Sequence, residues 1–132
     1  MTGEARTLTL SVLDGRFAIA RLAPENELPS WAFEGPFASV TTTADEVSVV
    51  CAEGSVPSGV LHEGGWRCLG VVGELDFSLA GVIDSLAAPL AAVGVPIFLL
   101  STYDSDYLLV KDDRLERARE VLTEAGHTVA NA

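Results

Sequence analysis

Positive charge is scarce in this chain. Its 132 residues include 19 acidic and 8 basic ones, Lys111 is the only lysine, and the formal net charge is −11. A surface of that sign repels phosphate backbones, which excludes nucleic acid as a partner and mildly favours a cationic or zwitterionic ligand. Cysteine is sparse too. Cys51 and Cys68 lie in apolar runs without metal-type spacing, so both read as buried free thiols rather than a disulfide or a reactive pair. No stretch approaches the ~18 uninterrupted apolar residues of a membrane span. The opening "MTGEARTLTL" lacks the charged start and apolar middle of a signal peptide, so a cytoplasmic location is expected.

Catalytic signatures are missing as well. The chain contains no GxSxG, HExxH, Walker or GxGxxG pattern. The "DSD" at 104–106 has neither further ligands nor a phosphate loop beside it. His62 and His127 are lone histidines near element ends, and Cys51, His62 and Cys68 are oddly spaced for zinc. No metal, no cofactor and no enzymatic activity are expected.

What is present is enough apolar sequence, 48% of residues, for one core or two very small ones. The second half reads clearly. "WRCLGVVG" (66–73) is a short apolar run ending in glycine, a buried strand. Leu79, Val82, Ile83, Leu86, Leu90 and Val93 recur at helical spacing, with Ser78 or Asp76 as N-cap, Gly94 as the stop and Pro89 as a kink or break. "VPIFLLS" (95–101) and "YLLVK" (107–111) are two strands joined through "TYDSD". A helix capped by Asp112 or Asp113 follows, its apolar side Leu115, Ala118, Val121 or Leu122, and Ala125. Gly126 ends it, and "HTVA" (127–130) forms a last strand. The order β-α-β-β-α-β predicts an antiparallel sheet with two helices on one face, an α+β fold.

The first half has a different texture. "LTLSVL" (8–13) and "FAIARL" (17–22) predict a hairpin about Asp14-Gly15. "APENELPSWAFEGP" (23–36) is loop or one short helical turn. "FASVTTT" (37–43) and "EVSVVCAE" (46–53) are strands around an Ala44-Asp45 turn, and "GSVPSGVLHEGG" (54–65) is a linker. As a copy of the second half's unit, this half has both helices reduced to turns.

Trp31, "TTTADEVSVVC" (41–51), Trp66, "LDFSLAGVIDSLAAPLAAVGVPIFLLSTYDSDYLLVK" (75–111) and the closing Leu115, Ala118, Leu122 and Gly126 carry a resemblance. Together they resemble the small bacterial tandem ACT-domain proteins, an aspartate-kinase-like group related to the cytosolic arginine sensors of animals. The match runs from about residue 8 to 126 and is densest at "GVIDSL…PLA…G…IF…STYDSDYLLV". The resemblance implies two ferredoxin-like (βαββαβ) ACT units in tandem: a degenerate N-terminal unit over 1–62 and an ACT domain over 63–132. It also implies regulatory or sensory binding of a small molecule, typically an amino acid, without catalysis. Exposed sheet edges make a homodimer the expected assembly. The alternative is a protein–protein interaction module with a vestigial ligand pocket.

An ACT-type site must hold an α-carboxylate, an α-ammonium and a side chain. The helix start within "GELDFSLAG" (73–81) offers backbone N–H donors and a favourable dipole for the carboxylate, with Asp76, Ser78 and Gly81 as candidates. Asp76 or Ser78 can equally be a plain helix cap, and Gly81 can simply pack. Thr102 and Asp106 match the family's polar positions and would face the ammonium. Asp104 and Ser105 read as turn residues. Phe77, Leu79 and Tyr103 would line a side-chain pocket, or belong to the core. Asp45, Glu46 and Ser48 are secondary candidates in the first half, where a polar β-turn accounts for them equally well.

Overall fold

Apolar runs with alternating burial become strands, and the two segments of helical period become helices. The computed structural model describes residues 7–25, 27–73 and 81–131. Within them the strands are β1 (Thr9–Val12), β2 (Phe17–Leu22), β3 (Ser39–Thr42), β4 (Val47–Ala52), β5 (Leu61–Val71), β6 (Phe98–Ser101), β7 (Asp106–Lys111) and β8 (Thr128–Asn131). The helices are α1 (Val82–Ala92) and α2 (Leu115–Glu124).

Contacts divide the chain into two units, one of residues 14–66 and one of the segment up to Leu13 together with that from Arg67 onward. In the unit of residues 14–66 the sheet order is β3-β4-β2-β5, antiparallel throughout, with a bulge between Phe17 and Ile19. A 3-10 turn at Ser30–Phe33 stands where helices were expected to have shrunk to turns. It places Trp31 and buried Ala32 on a core of Ala20, Val47, Val49 and Cys51. Phe17 and Phe37 meet edge to face, with ring centroids 6.3 Å apart.

The other unit carries both helices. Its sheet order is β6-β7-β5-β1-β8, with β1 antiparallel to β5 and parallel to β8. The β5-α1-β6-β7-α2-β8 succession is the expected split pattern, and β1 adds a strand between β5 and β8. The predicted β1–β2 hairpin does not form. Both strands pair antiparallel with β5, β1 with its residues 69–71 and β2 with residues 61–66. Gly15 takes the positive φ (81°) that the Asp-Gly signal promised, but an eleven-residue β5 gives each strand a partner that local turn chemistry could not compete with. Alternate residues of three strands, Leu10/Val12, Leu69/Val71 and Leu108/Val110, point to one face. There they bury Leu86 and Leu90 of α1 and Leu115, Ala118, Val121 and Leu122 of α2, which puts both helices on the same side.

The helix ends correct two expected caps. The N-cap of α1 is Gly81 in left-handed backbone (φ 82°) with no side-chain cap bond, and Asp76 and Ser78 lie outside the described residues. The N-cap of α2 is Arg114, also without a side-chain bond; Asp112 and Asp113 form a preceding 3-10 turn, and Asp112 accepts from Arg67 at 3.2 Å. The expected stops hold. Gly94 (φ 74°) and Gly126 (φ 102°) both turn out of their helices, and the next residue's N–H returns to Leu90 and Leu122 respectively.

Both thiols are free and buried. Burial pushes the Cys68 thiol up to about 12. Burial first, and the carboxylate of Glu34 second, raise that of Cys51. For Cys68 the folded state keeps a proton that the unfolded chain releases near 9. Its contribution to stability is therefore complete below that pH and falls as pH rises towards 12, by about 1.4 kcal/mol per unit. Urea titrations at increasing alkaline pH should show a steeper loss for the wild type than for Cys68→Ala. Equal slopes would mean that the thiol is not buried in solution.

Candidate functional site

The β6–β7 hairpin is built from hydroxyls. Ser101 pairs with Asp106 across the strand ends, and the Thr102 N–H donates to the Ser105 carbonyl at 2.8 Å. The Thr102 hydroxyl donates to that carbonyl and accepts from the Ser105 N–H, both at 3.2 Å, so it is committed to closing the turn. Tyr103 stands at the tip, 79% exposed, with Asp104 exposed beside it.

The inward residues are Ser105, 7% exposed, and Asp106, 9% exposed. The Ser105 hydroxyl donates to the Val71 carbonyl at 2.9 Å, tying the hairpin to the last residue of β5. The Ser101 hydroxyl donates to Asp106 Oδ1 at 2.5 Å. Among the described residues no arginine or lysine pairs with Asp106, and the sequence has no basic residue between Arg67 and Lys111. Beneath the hairpin, Tyr107 lies over Gly70: a Cβ on Gly70 would sit 2.8 Å from its ring. That is a close approach only glycine permits.

Val71 leads through Val72 and Gly73 into the 74–80 segment, which lies outside the described residues with Asp76, Phe77, Ser78 and Leu79. Gly81 is described. It is exposed, and a Cβ there would meet nothing within 4 Å, so its backbone conformation rather than packing is what calls for glycine. The N–H groups of Val82, Ile83 and Asp84 open α1, where a helix has no internal acceptor for them.

The secondary candidates belong to the other unit and have local roles. The Asp45 and Glu46 N–H groups donate to the Thr43 hydroxyl at 3.1 and 3.0 Å, closing the predicted turn. Arg21 reaches the Asp45 carbonyl at 3.1 Å and lies 4.0 Å from the Glu46 carboxylate. Ser48 pairs with Arg21 and Thr41 within the sheet. His62 contacts the Val60 carbonyl at 2.8 Å. Among the described residues no group of three or more His, Cys, Asp or Glu could hold a metal ion, and no helix is long and apolar enough to cross a membrane.

Sequence reasoning gives no buried partner to Ser101, a strand end, or to His127, a lone histidine, and for Ser105 it gives the turn but not the hydroxyl's bond to Val71. His127 is 4% exposed with both ring nitrogens engaged. The available signal was composition: hydroxyls and an imidazole flanking apolar strands need buried partners.

A largely antiparallel sheet with two helices on one face, in the β-α-β-β-α-β order, defines a ferredoxin-like α+β unit. The ACT domain model matches residues 61–124, and a second model, described as an N-terminal domain, matches residues 15–59. The Agobacterium tumefaciens protein Atu0741 is 38% identical, with a TM-score of 0.92 over 97% of this chain and 96% of that one. The aspartate kinase of Clostridium acetobutylicum shares the fold at 14% identity and a TM-score of 0.64, over 88% of this chain and 34% of the kinase. The human cytosolic arginine sensor for mTORC1 subunit 1 is 34% identical over 58 residues, 43% of this chain. That match spans only 18% of the sensor's length. Residues 61–124 are thus an ACT domain, a regulatory, small-molecule-binding module.

Proposed function

We propose that this chain is a regulatory module that binds a free amino acid, with Asp106 as the anchor of the ligand's ammonium group. The observation that carries the reading is Asp106 itself, a carboxylate 9% exposed that holds one hydroxyl and, among the described residues, no cation. Burying a carboxylate without a cationic partner is costly, and an ammonium would relieve that cost through a charge-assisted hydrogen bond. The ligand carboxylate would take the N–H groups at the start of α1, where Gly81 leaves open space. Asp76, Phe77, Ser78 and Leu79 stay assigned to the segment leading into that helix. Thr102 and Tyr103 flank the hairpin side. The acidic surface suits a cationic side chain, and the name of the animal relatives makes arginine the first amino acid to test.

The module would work without catalysis, in the cytoplasm and as a homodimer. Among the described residues strands β6 and β8 each have one partner strand, so each leaves an edge that a second copy could cover. Thermal denaturation with each of the twenty amino acids at millimolar concentration should show a rise for one or a few of them. Occupancy at about a hundred times Kd corresponds to about 2.7 kcal/mol. No rise with any of them would sink the proposal. Light scattering of the same samples should report twice the chain mass.

A further inference from the structure

We infer that His127 is a coupling latch that completes α1 and ties it to the N-terminal strand. The argument starts from Pro89, which lies inside α1 and has no N–H. The carbonyl four residues earlier, Ser85, therefore loses its helical donor. His127 Nε2 lies 3.0 Å from that carbonyl. On the other side of the ring, Nδ1 accepts the backbone N–H of Leu8 at 3.0 Å. An acceptor role for Nδ1 puts the ring proton on Nε2, which then donates to Ser85.

The ring is held where it is needed. Gly126, with φ 102°, turns the chain out of α2, and the His127 N–H returns to the Leu122 carbonyl at 3.0 Å. The next residue, Thr128, donates its N–H to the Leu8 carbonyl at 2.9 Å as β8 begins. Leu8 is thus gripped through both its N–H and its carbonyl just ahead of β1. Ser85 is in the first turns of α1: its N–H bonds the Gly81 carbonyl at 2.9 Å and its hydroxyl the Val82 carbonyl at 2.7 Å. One imidazole therefore links the opening of α1 to the strand that enters β1. A displacement of either is felt by the other. This link stands whether or not a ligand binds at the start of α1.

A double-mutant cycle tests it. His127→Phe keeps the ring's bulk and removes both bonds; Pro89→Ala returns an N–H to position 89 that can reach Ser85. His127→Phe should lower the melting midpoint by on the order of 5–10 °C and speed exchange of the Leu8 amide about tenfold. In the Pro89→Ala background the midpoint loss should shrink to about half, because Ser85 no longer depends on the imidazole. Equal losses in the two backgrounds would overturn the latch and leave His127 as a space-filling residue. If His127→Phe fails to fold, nitrogen-15 NMR of the wild type decides: a proton on Nε2 and a bare Nδ1 support the latch, and the opposite tautomer overturns it.

Discussion

Asp106→Asn is expected to cut the thermal response to the amino acid to about a third or less while leaving the ligand-free protein as stable as the wild type or slightly more so. The two halves of that result have one cause. Asparagine keeps an oxygen for the Ser101 hydroxyl, so the hairpin loses no acceptor. It removes a negative charge that is nine-tenths buried and faces no cation among the described residues, which relieves a desolvation cost in the empty protein. In the complex the same change exchanges a charge-assisted bond to an ammonium for a neutral one. The loss is about 2–3 kcal/mol, or roughly 30- to 150-fold in Kd. Calorimetric titration and a melting curve on one sample separate the two effects. Unchanged affinity in the variant would remove Asp106 from the site, whatever the ligand proves to be.

Leu86→Ala should be among the most damaging truncations in the helical unit, at about 3–4 kcal/mol. Leu86 is fully buried and packs into the core formed by Leu69, Val71, Leu108 and Val110 with the two helices. Domains of this kind hold about 5–15 kcal/mol in all, so the variant should unfold at markedly lower urea. Ile83, one turn earlier and 43% exposed, provides the contrast. Ile83→Ala should stay within about 0.5 kcal/mol of the wild type. A similar cost at both positions would mean that α1 does not present the face described for it.

Much of the helical unit was legible because its signals are local. The spacing of Val82, Leu86 and Leu90, and of Leu115, Ala118 and Leu122, marks the buried stripes, whereas Ile83, Val93 and Ala125, expected on the same faces, are exposed at their margins. Gly94 and Gly126 ended their helices as read, since only a positive φ allows that exit. The Thr43–Glu46 turn and the β6–β7 hairpin were also placed correctly. Within the hairpin Ser105 closes the turn as expected, through its N–H and carbonyl with Thr102. What the sequence does not show is that its hydroxyl is also buried on the Val71 carbonyl. A loop residue's burial depends on what lies behind it, and five residues of sequence carry no information about that.

By itself, then, the chain's sequence determined the acidic surface, the β-α-β-β-α-β order, the central stripe of each helix face and the position of Asp106 in a polar break between apolar strands. Each of these follows from composition, or from a period of two or of 3.6, that neighbouring residues impose on one another. Tertiary structure alone decided that β1 leaves β2 to lie between β5 and β8. It alone brought Ser101 and Ser105 into the service of Asp106 and Val71, and set His127 against a carbonyl that Pro89 had left without its helical donor. Those pairings join residues up to 119 positions apart. They are chosen by which polar groups would otherwise be buried without a partner, a condition that exists only once the chain has folded.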